Sequence, residues 1–147
     1  MGDLEVPIKK RLSSLQLDGL SDILNFRSDA APGLIETEQR VIETARQSGP
    51  DKAEAVLNTY KKIAEEQLTQ QLDISRKQAP APVLEQELNK ARGGLLINIA
   101  RIWRDAGAVD KCIDALDRAI DYAKKNRWAS IATRLESEKH KLTPAST

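Results

Sequence analysis

Seven apolar residues, Leu84, Leu88, Ala91, Leu95, Ile99, Ile102 and Ala106, follow one another at intervals of four, three, four, four, three and four. The spacing predicts one continuous stripe along an α-helix from Leu84 to Ala106, because a half-buried strand would alternate with period two. A stripe of that length must be covered by other elements of the chain or by a partner. Composition agrees with helical partners: 31% of the residues are charged and 3% aromatic, a balance that suits amphipathic helices and is poor for sheets. The expected class is all-α. At 147 residues the chain buries roughly 68–70% of its unfolded surface, so a core needs neither metal nor disulfide.

Other segments carry the same periodicity more faintly. Leu34, Val41, Ile42 and Ala45 predict a helix from Leu34 to Ser48, ended by Gly49-Pro50, a left-handed stop followed by a residue that cannot continue it. Asp51, with Glu54 three positions on, reads as the cap of a helix running to about Gln78 through Ala53, Val56, Leu57, Tyr60, Ile63, Ala64, Leu68 and Leu72. Ala79-Pro80-Ala81-Pro82 breaks the chain as a stiff extended joint. Within the helix that follows, Gly93-Gly94 is either a break or a place where a neighbour approaches closely. After Gly107, a partner helix from Val109 to Lys125 buries Val109, Cys112, Ile113, Leu116, Ala119, Ile120 and Ala123, and a last one spans about Trp128 to Leu142.

The first 33 residues read as an appendage. Pro7 opens a short helix with Ile8, Leu12 and Leu15 on one face, and Leu20, Ile23, Leu24 and Phe26 follow after an interruption at Asp18-Gly19. Ser28 to Gly33 reads as a turn-rich linker, which makes residues 1–33 separable from a helical-hairpin domain over 34–142, with 143–147 a disordered tail. Lys9-Lys10-Arg11 is too short a basic cluster for firm membrane attachment; a docking segment for another protein or for the body of this one fits it better.

Net charge is +1, and its division is mild: residues 1–78 hold 11 basic and 13 acidic residues, residues 79–147 hold 12 and 9. Neither half has the concentrated positive field that nucleic acid requires. No apolar run approaches the roughly 20 residues of a membrane span, and one cysteine makes no internal disulfide, which suits a reducing compartment. The expected location is the cytoplasm.

One stretch carries a resemblance. With Gly93 as the first position of a 34-residue unit, Leu96, Ile99, Ala100, Trp103, Gly107, Val109, Asp110, Cys112, Leu116 and Ala119 fall where the tetratricopeptide repeat has its large, small, aromatic and turn residues. The segment resembles that family, whose antiparallel hairpins stack into an array with a concave face for peptides. The resemblance implies that Ala100 and Ala119 let paired helices approach and that Trp103 fills the space between them. Lys124 replaces the proline that usually closes the unit. A fainter second copy aligns Asp51-Lys52-Ala53 and Leu57 with Asp110-Lys111-Cys112 and Leu116. The architecture expected is therefore antiparallel helical hairpins in a tetratricopeptide-like array or bundle.

The same resemblance places Ile97, Asn98, Arg101, Arg104 and Asp105 in the groove, as the partner-binding set. It implies a non-enzymatic module for a protein or peptide partner, acting as adaptor, chaperone-like factor or subunit of a larger assembly. No cofactor is expected. The rival reading is a structural bundle that homo-oligomerises through its two long helices, and a weaker one is a nucleic-acid-associated regulator. Chemistry finds little material: His140 is the only histidine and Cys112 the only cysteine. Asp110, Asp114, Asp117 and Asp121 share a helical stripe that reads as a solvated face, a surface for a basic partner, or a divalent-ion site.

Overall fold

Gly107, at φ 74°, turns the chain between its two best-patterned helices. Its amide donates to the Arg104 carbonyl (3.1 Å) and the Ala108 amide to the Trp103 carbonyl (3.0 Å), which satisfies two of the carbonyls a helix end leaves open. In this computed structural model, residues 8–24, 26, 33–75 and 80–142 are described. They form α1 (Ile8–Ser13), α2 (Asp18–Ile23), α3 (Leu34–Ser48), α4 (Pro50–Ser75), α5 (Ala81–Ala106), α6 (Val109–Lys125) and α7 (Ala129–His140). The protein is all-helical, as its composition and periodicity require. The expected linker falls mostly, and the expected C-terminal tail wholly, outside the described residues.

Short connections make antiparallel pairs of α3 with α4 and of α5 with α6, while α7 packs on α6 and both α3 and α4 reach α5. The packing suits a helical repeat or a bundle. Gly49, at φ 96°, closes α3 through its amide to the Ala45 carbonyl (3.0 Å). It also opens α4, since its own carbonyl accepts from Ala53 (3.3 Å). Asp51 is therefore inside the first turn of α4 and not at its cap: Pro50 takes the first helical position, where its missing amide costs nothing. Pro82 likewise lies in the first turn of α5, so the expected extended joint is shorter and Ala81 is already helical.

α5 is buried on more than one stripe. Leu84, Ala91, Leu95, Ile99, Ile102 and Ala106 are covered as their spacing predicts, but so are Ile97, Asn98 and Ala100. A helix covered nearly all round is a central one, and here the additional cover comes from the N-terminus. Leu12, Leu15, Leu17, Leu20, Leu24 and Phe26, none above 5% exposed, share one core with Leu95, Ile97, Ile102 and Leu116. The arm, expected as a separable appendage, thus packs into the same core as the body.

The glycine pair shows how the arm fits. A Cβ on Gly94 would stand 2.5 Å from the Phe26 Cβ and 3.2 Å from the Ser21 carbonyl oxygen, and one on Gly93 2.5 Å from the Trp128 ring. α5 runs through both positions unbroken, so of the two readings of Gly93-Gly94 the close approach is the one observed. Alanine at either position would push away the arm or the start of α7.

Trp103 is 2% exposed in that core, as expected from its place in the repeat pattern. Trp103→Ala will cost about 3–5 kcal/mol, the usual loss for a large buried aromatic; an unchanged midpoint in urea unfolding would contradict its burial. A smaller effect of opposite sign is expected where α6 ends. Arg127 holds φ 62° while the Trp128 amide reaches back to the Ala123 carbonyl (2.9 Å), a left-handed closure that costs a side-chain-bearing residue about 1–2 kcal/mol. Glycine adopts it freely but loses more chain entropy on folding, so Arg127→Gly will raise stability by about 1 kcal/mol or less in the same measurement.

Candidate interaction site

All five residues expected in the groove lie along the last three turns of α5, and the fold sends them in different directions. Ile97 (1% exposed) and Asn98 (4%) are interior. The Asn98 side-chain amide donates to the Tyr60 hydroxyl of α4 (2.5 Å), and its carbonyl accepts from Arg101 Nε (2.8 Å). These two residues do not face a groove, because α3, α4 and the arm close over this side of the helix. Placing them on an open concave face is corrected accordingly.

Arg101 and Arg104 keep side-chain exposures of 17% and 13%. Asp105, at 34%, takes one guanidinium on each carboxylate oxygen: Arg101 Nη1 at 2.8 Å and Arg104 Nε at 2.9 Å. Arg101 also pairs with Glu38 of α3, itself buried. Arg104 Nη1 donates to the Leu15 carbonyl of the arm (2.8 Å), and Asp18 stands 3.5 Å from both arginines. The two arginines expected to await a partner therefore already staple the arm and α3 to α5.

Beside the staple lies an open polar cleft of about 680 Å³, walled by Ser13, Ser14, Gln16 and Asp18 of the arm, Arg46 of α3, and Arg104 and Asp105 of α5. Arg46 is exposed and donates to the Asp105 backbone carbonyl (2.8 Å). Among the described residues no carboxylate lies within ion-pair reach of it. The arm thus replaces a long groove by a smaller cleft of two cations and two anions, in which Arg46 keeps the least neutralised charge. Of the five expected residues only Arg104 and Asp105 reach it. Arg46 and the arm's contribution were not legible in sequence: Arg46 sits in the last turn of α3 with no pattern around it, and Asp18-Gly19 read only as an interruption.

Other chemistry is muted. Burial pushes the Cys112 thiol up to about 12, and its Sγ donates to the Ala100 carbonyl (3.4 Å), so it packs as a small apolar residue and stays protonated at neutral pH. The acidic stripe of α6 is laced with cations: Asp114 to Arg118 and Asp121 to Lys125, each at 3.1 Å, and Asp117 to Lys139 of α7. Among the described residues no group of three or more histidine, cysteine, aspartate or glutamate side chains is placed to hold a metal ion. Nor is any helix among them long and apolar enough to cross a membrane. Comparison with protein-family models, with curated proteins and with solved structures finds no match.

Proposed function

We propose that this chain is a non-enzymatic interaction module of tetratricopeptide-like build, an adaptor, chaperone-like factor or assembly subunit of the cytoplasm, that takes a protein or peptide partner at the polar cleft between its arm and its body. The observation that carries the reading is Arg46: an exposed guanidinium beside Arg104 and Asp105, with no carboxylate in ion-pair reach among the described residues. A planar donor so placed suits a carboxylate or backbone carbonyl of a partner. Support for the build comes from two glycine-turned hairpins and from Ala100, Trp103, Cys112, Leu116 and Ala119, all buried at the repeat's packing positions. The proposed partner-binding set is Arg46, Arg104, Asp105, Gln16 and Asp18.

The test uses the full chain with a photo-crosslinking residue at Gln16, on the cleft, or at Arg118, on the outer face of α6, expressed in its host. A discrete adduct at Gln16, absent at Arg118 and lost on Arg46→Glu, is the expected result. Arg46→Glu itself should cost no more than about 1 kcal/mol, the worth of one exposed hydrogen bond. An adduct at Arg118 that survives Arg46→Glu would put the working face on the acidic stripe. The rival, a bundle that homo-oligomerises through α4 and α5, draws on Val83, 47% exposed at the start of α5. Light scattering across a range of concentrations decides between them, a monomer favouring the cleft and a stable dimer the bundle.

A further inference from the structure

Ser13 and Ser14 stand together at the end of α1, both exposed, directly after Lys10, Arg11 and Leu12. Their hydroxyls donate to carbonyls of their own helix, Ser13 to Lys10 (3.0 Å) and Ser14 to Arg11 (2.7 Å). Both line the same cleft as Arg46 and Arg104. Lys10 is exposed, and Arg11 is half-buried with one long bond to the Lys141 carbonyl (3.4 Å).

We propose that the Ser13–Ser14 pair is a phosphorylation site for a serine kinase that reads a basic residue three positions ahead of its target, Lys10 for Ser13 and Arg11 for Ser14, and that the cleft arginines receive the phosphate. The inference is independent of what the cleft binds. In the reaction a serine Oγ attacks the γ-phosphorus of ATP, a new O–P bond forms, the bond from that phosphorus to the β–γ bridging oxygen breaks, ADP leaves and the hydroxyl proton is released. Two physical consequences follow. The ester oxygen has no hydrogen left to donate to the Lys10 or Arg11 carbonyl, and a dianion at the carbonyl end of a helix is repelled by it, so the group turns away from α1. The cleft it turns into holds Arg46, bound so far to a backbone carbonyl, and a phosphate is a stronger, charge-assisted acceptor for a guanidinium than a carbonyl is. Asp105 does not compete for Arg46, since both its carboxylate oxygens are engaged by Arg101 and Arg104. A modification here would change the cleft's charge from balanced to negative.

The experiment treats the folded full chain with the catalytic subunit of such a kinase and magnesium ATP, maps the phosphorylated residue by mass spectrometry, and titrates the product by ³¹P NMR. One phosphoryl group on Ser13 or Ser14, absent in Ser13→Ala/Ser14→Ala, is expected. Its second ionisation should fall at least about half a unit below the ordinary value near 6, and Arg46→Ala should return it towards that value. Modification that persists in the double alanine variant would overturn the site. So would failure of the folded chain to accept phosphate, whether or not a peptide spanning residues 8–20 accepts it. Identical titration with and without Arg46 would overturn the receiving role of the cleft.

Discussion

A chain that begins at Gly33 will not unfold cooperatively, although it retains five of the seven helices formed by the described residues. Leu12, Leu15, Leu17, Leu20, Leu24 and Phe26 are each nearly fully covered, and burying such a side chain contributes about 1.5–3 kcal/mol. Their sum, even reduced for a compact unfolded state, is comparable with the whole margin of about 5–15 kcal/mol that holds a domain folded. The arm also spans elements that do not otherwise meet near it: the Gln16 amide donates to Glu138 of α7 (2.7 Å) and Arg104 holds the Leu15 carbonyl of the arm. Without the arm, Leu95, Ile97 and Ile102 of α5 meet water. Circular dichroism of the truncated chain should show a broad, shallow thermal transition. A sharp transition at the parental temperature would mean that the arm is an accessory after all.

Arg101→Met will destabilise the protein by about 3–5 kcal/mol, because it strands Glu38, a carboxylate 8% exposed at its side chain, without its cation. The loss is of a kind that removal of the second charge repairs. Arg101→Met with Glu38→Leu replaces the buried pair by apolar groups of similar size, which is often neutral or better, so the double variant should recover most of the loss. A double-mutant cycle from urea unfolding measures the coupling; additive losses would show that the two side chains act separately. Asp105 and Asn98, which Arg101 also holds, set a floor to the recovery. Arg101 is consequently unsuited to charge-reversal tests of partner binding, whereas exposed Arg46 is suited to them.

The helical content was legible because it rests on local terms. Val109–Lys125 matches its expected bounds: a glycine turn before it and a strict three-four apolar spacing leave little freedom. Trp103, Leu116 and Ala119 were legible as core for the same reason. The candidate site was much less so. Asn98 and Arg101 are polar and read naturally as solvent-facing; what covers them is α3, α4 and the arm, with Asn98 meeting Tyr60, Arg101 meeting Glu38, and Asp18 beside Arg101. Gly93-Gly94 announced a special position without saying what approached it, since the approaching atoms belong to Phe26 and Trp128.

The sequence by itself determined the all-helical class, most of the helix ends and the turns at Gly49 and Gly107, because periodicity, proline and left-handed glycine act within a few residues of where they stand. Only the tertiary structure decided that α5 is central, that Leu12, Leu15, Leu17, Leu20, Leu24 and Phe26 contribute to its cover, and that two arginines are staples while Arg46 stays open. Those outcomes depend on which apolar faces find each other across long separations, and an amphipathic arm has the same pattern whether it docks on its own body, on a partner, or on nothing.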